Sequence, residues 1–226
     1  MTFLSANPLQ NISLRREVIA SAMKMNALGI NQGKSGNVSA RIADGFLITP
    51  TGVPYEETKV EQIVAVRMDG SFDGDVLPSS EWRFHRDIYA ARADVAAIVH
   101  THSAHATSIA CLGRDIPPFH YMIAIAGGSD IRCAPYATFG SQQLSDFALA
   151  ALEGRHACLL AQHGMITLGA SLAKALALAV EVESLARMYW QVLQIGTPVL
   201  LDDAEMAIVI DKFKTYGQQA LKPPLA

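Results

Sequence analysis

Residues 96–102 read Ala-Ala-Ile-Val-His-Thr-His, an apolar run that ends in two histidines one residue apart. Continuous apolar character over four residues fits a buried β-strand. On a strand, residues i and i+2 point to the same face, so His100 and His102 project together from its end. A second apolar run, His156–Gln162 (HACLLAQ), fits another buried strand and delivers His163 at its end, just before Gly164. Three neutral imidazoles with an open fourth position form a catalytic zinc site, in which the ion acts as a Lewis acid. The plainer alternative is strand-end histidines that only hydrogen-bond. Of the other histidines, His105 is placed to support the cluster, whereas His85, His120 and His156 read as packing or hydrogen-bonding residues.

Working outward, helices and strands are interspersed without a βαβ repeat. Helices are expected over Ser13–Gly29 (with Ser13 as cap and Gly29 as left-handed stop), Ser79–Arg92, a short segment up to Leu112, Ser141–Leu152, Ser171–Ile195 and Asp202–Gly217. Short strands are expected at Phe46–Thr49, Ile63–Arg67 and Ile131–Pro135, with a turn at Asp69-Gly70. The Gly- and Ser-rich stretch 31–40 shows no period. This pattern favours a single α+β or three-layer domain.

The chain has 226 residues and a net charge of −3, with 17% charged residues against about 25% in an ordinary soluble domain. Mean hydropathy is +0.22. The charge balance excludes the basic stripe of a nucleic-acid binder. Ample apolar content excludes disorder. No membrane span is expected either, since the richest apolar stretch, Ala175–Val180, is six residues between Lys174 and Glu181, and a span needs about 20. With no export signal at Met1 and three cysteines without CxxC spacing (Cys111, Cys133, Cys158), the expected compartment is the cytoplasm, and the thiols are expected reduced and buried. The apolar surplus points to burial between subunits.

Glu81 is the candidate carboxylate. Ser79-Ser80-Glu81 opens a helix, whose free N–H groups and positive dipole end favour an anion. Local sequence equally supports a glutamate that merely stabilises the first turn. Gly36-Asn37 and Thr51-Gly52, together with Ser79 and Ser80, offer backbone N–H groups and small polar side chains near tight turns, a combination suited to phosphate. Gly33-Lys34-Ser35 imitates the end of a nucleotide-binding P-loop, but position 28 is leucine and the segment follows a helix, so it is no such motif.

The blocks Gly36–Ser39 (GNVS), Thr49–Gly52 (TPTG), Pro78–His85 (PSSEWRFH), His100–His102, His120–Ala124 (HYMIA), Ala134–Gly140 (APYATFG), Gln162–Gly164 and Lys212–Gly217 (KFKTYG) resemble the zinc-dependent class II aldolase and adducin-like family, over about Leu14 to Gly217. The resemblance implies an α/β/α sandwich with a mixed, largely antiparallel sheet, a single domain over 1–226, and a cyclic homotetramer with active sites at subunit interfaces. It makes His100, His102, His163 and Glu81 the Zn2+ ligands, one ion per subunit, and puts a substrate phosphate among Gly36, Asn37, Thr51, Gly52, Ser79 and Ser80. Tyr121 is expected to enter a neighbouring subunit's site, and Tyr216, on the segment 202–217, to close over it; Met1–Asn11 is expected to be loosely ordered. The implied activity is reversible cleavage of a ketose 1-phosphate to dihydroxyacetone phosphate and an aldehyde. L-Fuculose 1-phosphate, giving L-lactaldehyde, leads; 5-deoxyribulose or 5-methylthioribulose 1-phosphate is the alternative. Epimerases of the family carry Asp in place of Glu81, so Glu81 points to carbon–carbon cleavage. Adducin-like members are binding proteins without the metal histidines, and that non-catalytic reading is the alternative from another class.

Overall fold

The structure, a computed structural model, describes residues 10–215. Seven strands form one sheet: β1 (Asn37–Ile42), β2 (Gly45–Ile48), β3 (Val64–Arg67), β4 (Ala97–Thr101), β5 (Cys133–Ala134), β6 (Ala157–Leu160) and β7 (Gly164–Gly169). Their order is β3-β2-β1-β4-β7-β6-β5, antiparallel throughout except for the parallel pair β5–β6. Six α-helices cover it: α1 (Ile12–Ala27), α2 (Trp82–Ala91), α3 (Ala104–Ala110), α4 (Gln142–Ala151), α5 (Leu172–Ile195) and α6 (Asp203–Phe213). The result is a three-layer α/β/α sandwich with a mixed, largely antiparallel sheet.

The two helical layers follow from strand alternation. Val38 and Ala40 of β1 and Ala97 and Val99 of β4 face one core, shared with α1, α3, α5 and α6. Ile98 of β4, Phe46 and Ile48 of β2 and Ile166 of β7 face the other, beneath Phe84, Ile88 and Tyr89 of α2 and Leu144 and Ala148 of α4. Both faces being covered explains the apolar composition in part, because central strands then need no polar side.

Two strands, β1 and β7, do not correspond to any expected above. β1 begins within the unassigned stretch 31–40 and runs on to Ile42; its residues alternate polar and apolar (NVSARI), but the Gly- and Ser-rich lead 31–36 hides that period. β7, GMITLG, is buried along nearly its whole length and returns antiparallel to β6, so His163 sits in a tight turn between two strands. The expected Ile131–Pro135 strand shrinks to Cys133–Ala134.

Helix ends agree in part. Ser141, Ser171 and Asp202 cap α4, α5 and α6 by accepting from Leu144 N (3.2 Å), Lys174 N (3.3 Å) and Glu205 N (2.8 Å). Gly29 takes a left-handed φ of 70° after α1. Ser13, however, is no cap: α1 starts at Ile12, and Ser13 Oγ donates to Glu17 instead (3.4 Å). Tertiary contacts hold that end, through Arg15 donating to the carbonyls of Gln10 (2.9 Å) and Ile63. α2 begins at Trp82, which leaves Glu81 in the cap position outside the first turn, with its side chain free of capping duty. All three cysteines are free thiols, but only Cys158 is buried; Cys133 is half-buried and Cys111 exposed at the end of α3. Of the terminal segments singled out above, residues 1–9, Tyr216 and Gly217 lie outside the described residues.

The β6–β7 turn leaves no space at Gly164, where a Cβ would meet the Thr101 carbonyl oxygen at 2.5 Å and the His102 ring at 2.9 Å. Gly164→Ala is therefore expected to lower stability by about 1–3 kcal/mol in urea denaturation, through overpacking. An unchanged unfolding midpoint would contradict this packing.

Candidate metal centre

Three parts of the fold meet at one end of β4. His100, in the strand, is fully buried; His102 follows the strand; His163 comes from the β6–β7 turn; Glu81 comes from the start of α2 and is 5% exposed. The three imidazoles stand as blades of a propeller, with centroids 4.9, 4.9 and 5.0 Å apart and rings inclined by 75–77°. Their Nε2 atoms point inward. His100 Nε2 lies 3.0 Å from His102 Nε2, Glu81 Oε2 lies 3.1 Å from His100 Nε2, and Glu81 Oε1 lies 3.1 Å from His163 Nε2. One donor atom from each of the four lies within 4.8 Å of all the others.

The neighbours fix which atoms are offered. His100 Nδ1–H donates to the Met165 carbonyl at 2.9 Å across the β4–β7 ladder, which leaves Nε2 bearing the lone pair. Glu81 Oε2 accepts from Asn37 Nδ2 at 2.9 Å, whereas Oε1 is buried without a hydrogen-bond partner, because His163 approaches it off-line. A buried, ionised oxygen without a donor is costly unless a cation faces it. Burial alone would raise the Glu81 carboxyl; attraction to His100 and His163 outweighs it and holds the group well below the ordinary carboxylate range. Burial, then the neighbouring imidazoles, push His102 down to about 4, so it stays a neutral donor near neutral pH. Three imidazole nitrogens and one carboxylate are a donor set that zinc takes, so these residues fit a divalent ion.

A cavity of about 270 Å³ opens beside the cluster, lined by Glu81, His102, Gln162 and His163, by Ser35 and Ser80, and by Tyr136, Ala137 and Phe139. Gln162, in the turn that presents His163, holds a left-handed φ of 51°, which costs a residue with a side chain about 1–2 kcal/mol. A larger cleft of about 630 Å³ between the start of β4 and α5 is lined by none of the four clustered residues and is mainly apolar.

The phosphate candidates occupy neighbouring loops, in different ways. Ser80 lines the cavity; Ser79 is buried, and its Oγ accepts from Glu81 N at 3.3 Å. Thr51 and Gly52 are exposed, and their loop is tied to the Ser79 segment by Thr51 N to Leu77 O (3.1 Å) and Ser79 N to Thr49 O (3.0 Å). At Gly36 a Cβ would meet the His100 carbonyl at 2.5 Å, so only glycine fits. Asn37 is buried with its amide turned inward, to Glu81 and His85. Two residues outside the sequence-based set join them: Ser35 lines the cavity, and Lys34 Nζ donates to the Gly52 carbonyl at 2.7 Å, bringing a positive charge to these loops. Their signal was the Gly33-Lys34-Ser35 run set aside as a false P-loop. Tyr121 opens a 3-10 helix, is 48% exposed and does not line the cavity. His105 does not touch the cluster's ligand atoms; its Nδ1 and backbone N–H instead meet Glu183 at 2.7 and 2.9 Å, tying α3 to α5.

Residues 16–190 match the family described as class II aldolase and adducin N-terminal domain. A 5-methylthioribulose-1-phosphate/5-deoxyribulose-1-phosphate aldolase of Rhodospirillum rubrum is 53% identical, over 96% of this chain and 98% of the relative. An L-fuculose phosphate aldolase of Escherichia coli K12 is 50% identical, over 92% of this chain and 98% of the relative. Among solved structures, an L-fuculose 1-phosphate aldolase superposes with a TM-score of 0.88 at 38% identity, covering 92% of this chain and 99% of that one. With the metal-dependent chemistry of the class matched by a His3Glu cluster, the chain belongs to the class II aldolase and adducin family, as one of its aldehyde-lyases.

Proposed function

We propose that this chain is a zinc-dependent aldolase that cleaves a ketose 1-phosphate reversibly to dihydroxyacetone phosphate and an aldehyde. The observation that carries the proposal is the convergence of His100, His102, His163 and Glu81 within 4.8 Å beside a cavity that also exposes Ser35 and Ser80. His100, His102 and His163, with Glu81, hold the ion. When bound, zinc supplies a Lewis acid that stabilises the negative charge developing on the sugar oxygens as the C3–C4 bond breaks. Glu81 exchanges the proton of the dihydroxyacetone phosphate carbon, through the Oε1 that no donor occupies. Gly36, Asn37, Thr51, Gly52, Ser79 and Ser80 receive the phosphate, with Lys34 adding charge. That grip fixes the orientation of the reacting carbons.

Tyr121 reaches the aldehyde oxygen from a neighbouring subunit, and Tyr216 closes over the site. The exposure of Tyr121 and its absence from the lining of its own cavity favour its role in a neighbouring site, as does the apolar surface left by Ile195 and Val199, which a homotetramer covers. One domain spanning 1–226 carries these parts. Free thiols are consistent with the cytoplasm, and no helix among the described residues is long and apolar enough to cross a membrane.

L-Fuculose 1-phosphate and 5-deoxyribulose or 5-methylthioribulose 1-phosphate share the phosphate end and differ in the aldehyde half. The exposed rings of Tyr136 and Phe139 at the cavity suit an aldehyde with an apolar tail, and the Rhodospirillum rubrum relative favours the second pair as strongly as the Escherichia coli relative favours the first. A panel of these ketose 1-phosphates, with dihydroxyacetone phosphate read by a coupled assay, is expected to give stoichiometric ketone and aldehyde from at least one. Epimerisation without aldehyde release overturns the cleavage reaction. Protein purified without chelator is expected to carry about one zinc per subunit; less than about a tenth, with a chain that binds ligands but releases no aldehyde, would favour the adducin-like reading. Glu81→Gln is expected to keep the fold and lower kcat by about 10²–10⁴-fold, and near-wild-type turnover would remove Glu81 from proton transfer.

A further inference from the structure

A row of buried polar groups runs from the cluster into the layer between the sheet and α2, away from the cavity. Asn37 and Ser39 alternate on β1 and face α2, where His85 and Tyr89 stand one turn apart. Two strand residues span about 6.7 Å and one helical turn about 5.4 Å, so the two pairs interleave. The links are Glu81 Oε2 to Asn37 Nδ2 (2.9 Å), Asn37 Oδ1 to His85 Nε2 (2.5 Å), His85 Nδ1 to Ser39 Oγ (2.7 Å) and Ser39 Oγ to Tyr89 OH (2.8 Å). His85 is fully buried, with its ring stacked on Phe84 (centroids 4.6 Å apart) and facing Phe46 (6.3 Å).

Donors and acceptors along this row permit one sense only. Glu81, ionised, can only accept, so the Asn37 atom facing it is the amide nitrogen. Asn37 Oδ1 then faces His85 and needs a donor, which makes Nε2 the protonated nitrogen. His85 Nδ1 is left bare and accepts from Ser39, which in turn accepts from Tyr89. Burial supports a neutral ring, pushing the His85 imidazole down to about 3.

We propose that His85 is a positioning residue for the reaction: as the Nε2–H tautomer it locks the Asn37 amide, which holds Glu81 Oε2 and leaves Oε1, the oxygen without a hydrogen-bond partner, for the metal and the substrate. The function rests on the role given to Glu81 above. His85 touches neither substrate nor ion; it acts through Asn37. A carboxylate free to rotate would spend part of its time with neither oxygen in line, so loosening it weakens both ion binding and proton exchange.

Two substitutions divide the imidazole. In His85→Gln the side-chain amide nitrogen takes the place of Nε2 and keeps the donor to Asn37; in His85→Asn the shorter amide takes the place of Nδ1, keeping the Ser39 contact and losing that donor. Both disturb a buried site, so both should lower Tm. His85→Asn is expected to weaken zinc affinity, measured by chelator competition, and kcat, each by about 10–100-fold, while His85→Gln stays within about threefold of wild type. Equal losses in the two variants, or none in His85→Asn, overturn the proposal. An independent readout uses the unaltered protein: nitrogen NMR of labelled histidine, with and without zinc, is expected to find His85 as a neutral Nε2–H tautomer down to about pH 5. An Nδ1–H tautomer, or a cation forming above that pH, overturns it as well. Neither chelator competition nor NMR requires turnover, so failure here is distinguishable from failure of the aldolase assignment, which the substrate panel tests.

Discussion

The hydrogen bond from His100 Nδ1 to the Met165 carbonyl ties the chemistry of the cluster to the sheet. It commits the imidazole to one tautomer and aims its Nε2 lone pair at the point where the four donor atoms converge. It also requires β4 and β7 to pair in one register, with His100 opposite Ile166 and, on the other side, opposite Asn37 of β1. A slip of one residue would turn His100 into the opposite core and remove Asn37 from Glu81. The three central strands therefore carry, at one end, a single row of polar groups that is correct only as a set.

Placing that row at the sheet's end reconciles two conflicting demands. The interior must be apolar on both faces, yet the site needs a carboxylate taken almost wholly from water. Glu81 is tolerated because imidazoles and an amide surround it, and because the segment that carries it is anchored to its neighbours: the Ser79 hydroxyl accepts its N–H, and the Thr49–Thr51 strand end braces the loop before it. The neutral character of most of these partners is one reason the chain uses so few charged residues.

The parts of the molecule legible in sequence were those whose signal is local. The HTH triplet, the capped helices α4, α5 and α6 and the Ser79-Ser80-Glu81 entry into α2 each announce themselves within a few residues. β7 does not, because a strand covered on both faces loses the polar alternation that marks a half-exposed strand, and β1, which does alternate, follows directly on the Gly- and Ser-rich lead 31–36. The inward turn of the Asn37 amide was invisible for a different reason: its partners Glu81 and His85 lie 44 and 48 residues away, and nothing in Gly36-Asn37 distinguishes an amide aimed at a phosphate from one aimed at a carboxylate. Cys111 went the other way, since a short apolar helix end looks buried until its exposed side is known.

Assembly of the cluster has a consequence for how the chain acquires its shape. The His100–Met165 bond joins residues 65 apart in sequence, and the strands it pairs come together only after a long loop has closed. His100 and His102 are neighbours in any conformation, but His163 and Glu81 join them only when β7 is seated and α2 is docked. A divalent ion meeting the nascent chain finds only two of the four ligands close together. The ion therefore reinforces a fold already made by its apolar layers, and its binding energy deepens the native well late, after the topology has been chosen.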